Sequence, residues 1–375
     1  MTKVMTVVGT RPEIIRLSEV IKRLDATVDH VLVHTGQNYD YELNEIFFEE
    51  LGLRKPDHFL EVDTSSLGRV LGEVLIKTEQ VLLQERPDAF LVLGDTNSCI
   101  AAVIAKRMRI PVYHMEAGNR CFDENVPEET NRRMIDHVAD FNLVYTEHAR
   151  RNLLAEGIHP RRILLTGSPM NEVLAAQRSA IDASDVLKRL GLEEGGYFLV
   201  SAHREENVDN PARLSALLDC LEAVVDEYDL PVLVSTHPRT RSRLEAAGRE
   251  VADVRFHKPL GFHDYNHLQL KARCVLSDSG TIAEESSLLG FPALTLRDSI
   301  ERPEALDTGS IIMTGLDSDD VVSAIAVAML AVPRLKGVCR PTPEDYLINN
   351  TSERTVNFIL STARRHYAWA GIRNT

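Results

Sequence analysis

Residues 90–118 read FLVLGDTNSCIAAVIAKRMRIPVYHMEAG. Phe90–Leu93 is a short apolar run stopped by Gly94 and Asp95. Cys99–Arg107 then carries a helical pattern, and Val112–Met115 is a second short run ending on Glu116 and Gly118. Short strand, polar turn, helix and strand together make one parallel β-α-β step. The step recurs in both directions. Strands are expected at Val4–Val8, Val31–His34, Asn142–Tyr145 and Ile163–Leu165, with a helix at Leu67–Gln84. The second half repeats the scheme, with strands at Tyr197–Ser201, Val232–Ser235, Cys274–Ser277 and Ala293–Leu296. Its helices are expected at Arg213–Asp226, Thr281–Leu289 and Asp319–Leu330. Such alternation predicts an α/β fold of two doubly wound, Rossmann-type domains. Gly and Pro interrupt the pattern at 166–171 (TGSPMN), which is the expected boundary.

Composition narrows the function. The chain has 375 residues and a formal net charge of −14, from 42 Lys and Arg against 56 Asp and Glu. A general nucleic-acid or anionic-membrane binder rests on clustered cations and is excluded by that balance. A hydrophobic fraction of 44% with 26% charged residues suits a globular enzyme and excludes disorder as the main state. Cys99, Cys121, Cys220, Cys274 and Cys339 contain no CxxC pair, so neither a disulfide framework nor a metal site is expected. The longest apolar run, 321–332, falls short of the roughly 20 residues of a membrane span. The opening residues do not read as a signal peptide. A reduced, cytoplasmic protein is expected.

In parallel α/β folds, ligands bind at the carboxyl ends of strands. The polar segments GTRPE, HTGQNYD, GDTNS, HMEAGNR, SAHREEN, STHPRTR and SDSGTIAEE each follow an expected strand, which predicts one site in an interdomain cleft. Asp95, Glu116 and Glu128 bring carboxylates from three loops of the first half. Crowded carboxylates raise one another's pKa, as an acid–base pair near neutral pH requires. For Glu128 the plain alternative is an ion pair with Arg132, four residues on. Ser279 and Gly280 precede a helix whose free N–H groups suit a phosphate, and Glu285 is spaced to grip ribose hydroxyls. A simple N-cap by Asp278 or Ser279 is the alternative there. Arg11 follows the first strand and is a candidate diphosphate contact. Arg16, one turn on, faces either the cleft or solvent. His203 and His237 end strands of the second half, placed to donate to phosphate or to move protons. With neither GxGxxG nor a Walker loop, NAD and ATP are not indicated. Cys121 has no evident His partner and does not read as a nucleophile.

Taken together, GTRPEIIR, HTGQNYD, GDTNS, HMEAGNRCFD, VPEETNR, SAHREEN, the HP of STHPRTR and SDSGTIAEE…RDSIERPEAL run in order over some 300 residues. Along essentially its whole length the chain resembles the non-hydrolysing UDP-N-acetylglucosamine 2-epimerase family. That resemblance implies a GT-B-like pair of domains at 1–170 and 171–350, and a C-terminal helix (351–375) packing back on the first. It also implies a homodimer acting on a UDP-sugar, interconverting UDP-GlcNAc and UDP-ManNAc without a cofactor. The family reaction eliminates UDP to a 2-acetamidoglucal and adds it back on the other face. By similarity Asp95, Glu116 and Glu128 are the acid–base candidates, and His203 partners the leaving phosphate. Arg11, His237, Ser279, Gly280, Glu285 and Arg302 are assigned to substrate binding, with Arg16 and Arg132 orienting carboxylates or sugar.

Three departures bear on specificity. Arg16 stands where many members have Lys, replacing a point charge by a fork. Asn38 replaces a His in a region that serves a second, activating substrate site in bacterial members. The usual EAGLR becomes EAGNR at 116–120, followed by CFD. This version looks like the branch that epimerises UDP-2-acetamido-2,6-dideoxy-L-talose to UDP-N-acetyl-L-fucosamine, the same chemistry on another sugar. The rival readings are a GT-B glycosyltransferase, which would need an acceptor, a UDP-sugar sensor without turnover, and a hydrolytic epimerase.

Overall fold

A computed structural model describes residues 1–36, 41–202, 204–236, 243, 251–330 and 342–372. Among these, thirteen strands form two sheets, and every strand pairs in parallel with its neighbours. In chain order they are β1 (Lys3–Val8), β2 (Asp29–His34), β3 (His58–Phe59), β4 (Ala89–Leu93), β5 (Val112–Met115), β6 (Phe141–Val144) and β7 (Ile163–Leu165). The second set is β8 (Phe198–Ser201), β9 (Val232–Ser235), β10 (Val254–His257), β11 (Cys274–Ser277), β12 (Ala293–Thr295) and β13 (Ile312–Met313). The first sheet runs β3-β2-β1-β4-β5-β6-β7 and the second β10-β9-β8-β11-β12-β13. Both are Rossmann-like orders, and each reverses once, between β1 and β4 and between β8 and β11. A crevice opens at the carboxyl ends of strands where that reversal occurs.

The strands exist because both faces of each sheet are covered. Residues 89–93 (AFLVL) are buried at every position, as a central parallel strand demands. Cys99–Arg107 resolves into a 3₁₀ turn, Asn97–Ile100, followed by the helix Ala101–Arg107. The edge strands β3, β10 and β13 are absent from the sequence expectation. They span two to four residues and carry no long apolar run.

Packing divides the chain into two compact units, Met1–Ala176 with Asp345–Thr375, and Gln177–Glu344. The first division falls inside the helix Met170–Asp182 rather than at the Gly-Pro break before it. The C-terminal helix Thr351–Thr362 belongs to the first unit. There Phe358 sits edge-on to Tyr113 and Phe141, and the Tyr113 hydroxyl lies 2.6 Å from Thr362 Oγ1. Among the described residues no helix is long and apolar enough to cross a membrane.

Candidate active site

In the first unit the site grows from the β1–β4 reversal. The helix Arg11–Thr27 starts directly after β1, with Thr10 at its N-cap and Pro12 in its first turn. Arg11 lies partly exposed at its first position, its guanidinium 5.9 Å from the Phe47 ring centroid. Arg16 is one turn on and is neither loosely placed nor in solvent. It is 7% exposed and ion-paired with Glu116. Glu116 directly follows β5 at φ 64°, a left-handed conformation that costs a non-glycine residue roughly 1–3 kcal/mol. Its other carboxylate oxygen is 3.5 Å from Asn119 Nδ2. The EAGNR departure therefore puts an amide, where an aliphatic residue is usual, against the candidate base.

Asp95 follows Gly94 at the end of β4 and is ion-paired with the buried Arg132. Arg132 also reaches Glu129 at 2.6 Å. Glu129 in turn takes the Arg133 guanidinium at 3.0 Å and lies 3.4 Å from Cys121 Sγ. Glu128 and Glu129 occupy the first turn of the helix Pro127–Val138, Glu128 exposed and Glu129 buried. In place of the expected crowding of bare carboxylates, Asp95 and Glu116 each face an arginine.

A fully buried layer supports these loops. Asp136 accepts the Gly118 N–H at 3.1 Å and lies 2.7 Å from Arg120 Nη1 and 2.9 Å from His114 Nδ1. His114 Nε2 is 2.7 Å from the Gly94 carbonyl, next to Asp95. Arg120 is bound on its far side by Glu156, a contact that holds the Glu156 carboxyl below its usual pKa. His114, Asp136 and Glu13 were not among the residues expected from the sequence, whereas Glu129 was expected to open its helix beside Glu128. Only Glu13 left a local signal, the T-x-x-E capping-box spacing from Thr10. Its carboxyl is pushed up by burial, against hydrogen bonds that pull it down.

In the second unit the loops at the β8–β11 reversal are tied together. Asp278 accepts the Arg204 N–H at 3.0 Å and Asn207 Nδ2 at 3.2 Å. The residue capping the helix Ile282–Leu289 is Thr281, later in the chain than either expected cap, Asp278 or Ser279. Ser279 Oγ is 2.9 Å from Thr281 Oγ1 and accepts the Thr281 N–H at 3.3 Å. Glu285 is 8% exposed, and Gln269 Nε2 donates to it at 2.7 Å. Arg302 is 2% exposed. It donates to the Gly280 carbonyl at 2.8 Å and pairs with Glu284 at 3.0 Å, so it shapes the Ser279–Gly280 turn from behind. His203, His237 and Asn38 lie outside the described residues.

Reading the histidines as having no HxxxH spacing missed two pairs four residues apart, His30/His34 and His263/His267, a spacing that suits a metal on a helix. His30 and His34 lie on β2 instead, and His34 Nδ1 accepts the Gly36 N–H at 2.9 Å. Burial lowers the His34 pKa to about 4, so it is neutral. His263 and His267 turn to Gln177 and the Ile181 carbonyl, at 2.9 and 2.7 Å. Among the described residues no group of three or more His, Cys, Asp or Glu is arranged for a metal ion.

Two Rossmann-like units in GT-B-like style place the chain in the GT-B-like class of two-domain α/β proteins. The family model described as UDP-N-acetylglucosamine 2-epimerase matches residues 22–360. The chain belongs to that family, whose members are isomerases. It is 45% identical to a structure of UDP-N-acetylglucosamine 2-epimerase from Rickettsia bellii, with TM-score 0.92 and 98% of each chain covered. It is 33% identical to the Methanocaldococcus jannaschii UDP-GlcNAc 2-epimerase solved with UDP-GlcNAc and UDP, with TM-score 0.88, covering 96% of this chain and 100% of that one. A Pseudomonas aeruginosa UDP-2,3-diacetamido-2,3-dideoxy-D-glucuronate 2-epimerase is 34% identical, covering 87% of this chain and 92% of its own length.

Proposed function

We propose that this chain interconverts UDP-GlcNAc and UDP-ManNAc. The observation that carries the reading is the pair Asp95 and Glu116, set at neighbouring strand ends beside the β1–β4 reversal and each held by its own arginine. The C2 proton of the sugar is weakly acidic, so removal has to be coupled to loss of a good leaving group at C1. A carboxylate takes the C2 proton, the C1–O bond breaks, UDP departs with the electron pair, and a C1=C2 glucal remains. UDP then adds back at C1 while a proton is delivered to the other face of C2. Two proton-transfer groups on different elements suit an inversion better than one. Asp95, Glu116 and Glu128 are our candidates.

Arg11, Ser279, Gly280 and Glu285 are assigned to UDP, together with His203 and His237. Negative charge builds on the diphosphate as C1–O breaks, and fixed donors stabilise it without reorganising. We further infer a homodimer in the cytoplasm, where light scattering of the purified protein should return twice the mass of one 42.0 kDa chain.

Proton NMR with UDP-GlcNAc in D2O tests the reading. Loss of the C2 proton signal together with a UDP-ManNAc anomeric signal supports it. Free ManNAc with UDP would assign a hydrolytic enzyme instead. Silence on UDP-GlcNAc with turnover of the 2,6-dideoxy-L-talose nucleotide would assign the fucosamine-forming reaction, to which the Asn119–Glu116 contact is relevant.

A further inference from the structure

Glu13 is 1% exposed and does more than cap its helix. A capping box asks its carboxylate for one bond, to the N-cap N–H. Here Oε2 accepts the Thr10 N–H at 2.7 Å, the Gly9 N–H at 2.9 Å and the Thr10 hydroxyl at 2.9 Å. Oε1 reaches across the sheet to the loop after β4, where it meets the Thr96 hydroxyl at 3.1 Å and the Ser98 hydroxyl. Those two hydroxyls are themselves 2.6 Å apart. One buried carboxyl therefore joins the segment that carries Arg11 to the segment that carries Asp95. The Gly9 and Thr10 N–H groups are thus turned to Glu13 rather than offered to a diphosphate.

We propose that Glu13 is a positioning residue that locks the Gly9–Arg11 loop to the Asp95–Ser98 loop, so that the diphosphate contact and an acid–base carboxylate move as one piece. The proposal rests on the functional reading above for the roles of Arg11 and Asp95. Its geometry makes a separable prediction about charge against shape. The Thr96, Ser98 and Glu13 Oε1 atoms are mutual neighbours with only two hydroxyl protons among them. A primary amide at that corner supplies two N–H groups to the two hydroxyls, while its carbonyl keeps the Gly9 and Thr10 donors. Glu13→Gln therefore preserves the lock, whereas Glu13→Ala removes it.

The test uses the full chain with Glu13→Gln, Glu13→Ala and Ser98→Ala. Amide hydrogen exchange is read at residues 9–13 and 94–99, with 198–201 in the other unit as the control. Glu13→Ala is expected to speed exchange in both segments together and leave the control unchanged, and Glu13→Gln to leave all three near wild type. In turnover, Glu13→Ala should lower kcat by about 10- to 100-fold, the scale of a small misplacement of a reacting group. KM should change less, since UDP keeps its other contacts, and Glu13→Gln should restore kcat to within about fivefold of wild type. Unchanged exchange at 94–99 in Glu13→Ala, or a Glu13→Gln protein as impaired as Glu13→Ala, would overturn the proposal. If Glu13→Ala does not fold, Ser98→Ala decides, because it must loosen residues 9–13 from a distance. A wild-type protein without epimerase activity would defeat the functional reading, while the exchange result would still stand or fall by itself.

Discussion

Glu116 shows how much one residue can concentrate. It is a charged side chain, 8% exposed, on a backbone at φ 64°. Both features cost free energy, and the Arg16 ion pair with the buried layer behind it offsets them. Glu116→Gln is expected to lower turnover by at least about 100-fold while UDP affinity stays near wild type, as fits a group used chiefly in proton transfer. NMR turnover beside calorimetric titration with UDP separates the two. Two residues on, Gly118 sits at φ 79°, and a Cβ there would lie 2.4 Å from the Ala149 carbonyl oxygen. Gly118→Ala combines a backbone penalty with a clash, so a loss of about 3 kcal/mol or more is expected by denaturant unfolding. These two positions could be named from the string EAG, but their left-handed backbones could not.

At the scale of elements, the loop after β5 is held to the helix Pro127–Val138 by charge, and to the helix Glu147–Ala155 by charge together with the packing of Ala117 on Ala149 and Leu153. Arg120, with a fully buried side chain, bridges Asp136 to Glu156. The Arg120 bond lowers the Glu156 pKa, so the unfolded chain binds that proton more readily than the folded one. This contribution to stability is present above the ordinary glutamate pKa and is lost as pH falls through and below it. Unfolding midpoints between pH 6 and pH 3 should therefore decline less steeply in Glu156→Gln than in wild type. Asp136→Asn, which removes the buried negative charge facing both His114 and Arg120, should cost about 3–5 kcal/mol. Strands and helices were legible because the runs are short, apolar and regularly punctuated. This polar layer was not, since His114, Arg120 and Asp136 stand at unequal spacings that carry no periodic signal.

For the molecule as a whole, the chain returns to its first unit after completing the second. The helix Thr351–Thr362 buries Val356 and Ile359 and sets Phe358 against Tyr113 and Phe141. Each fully buried aliphatic side chain is worth roughly 1.5–3 kcal/mol, and a domain's whole margin is about 5–15 kcal/mol. Deleting residues 345–375 is expected to leave the first unit unfolded or aggregated at 37 °C, seen as lost solubility and a lost thermal transition. The second sheet, β8 to β13, draws no strand from the deleted segment.

The sequence by itself determined the two parallel sheets, the family and the strand ends that carry the candidate residues. Each of these follows from local apolar periodicity or from short strings at fixed spacing, and local patterns survive being read one window at a time. Tertiary structure decided which charges meet: Arg16 with Glu116, Arg132 with Asp95, Arg302 with Glu284, and Glu13 with hydroxyls 83 and 85 residues away. Burial forces every ionised group to find a partner, and which partner is within reach depends on strand order. β1 lies beside β4 although two strands separate them in the chain.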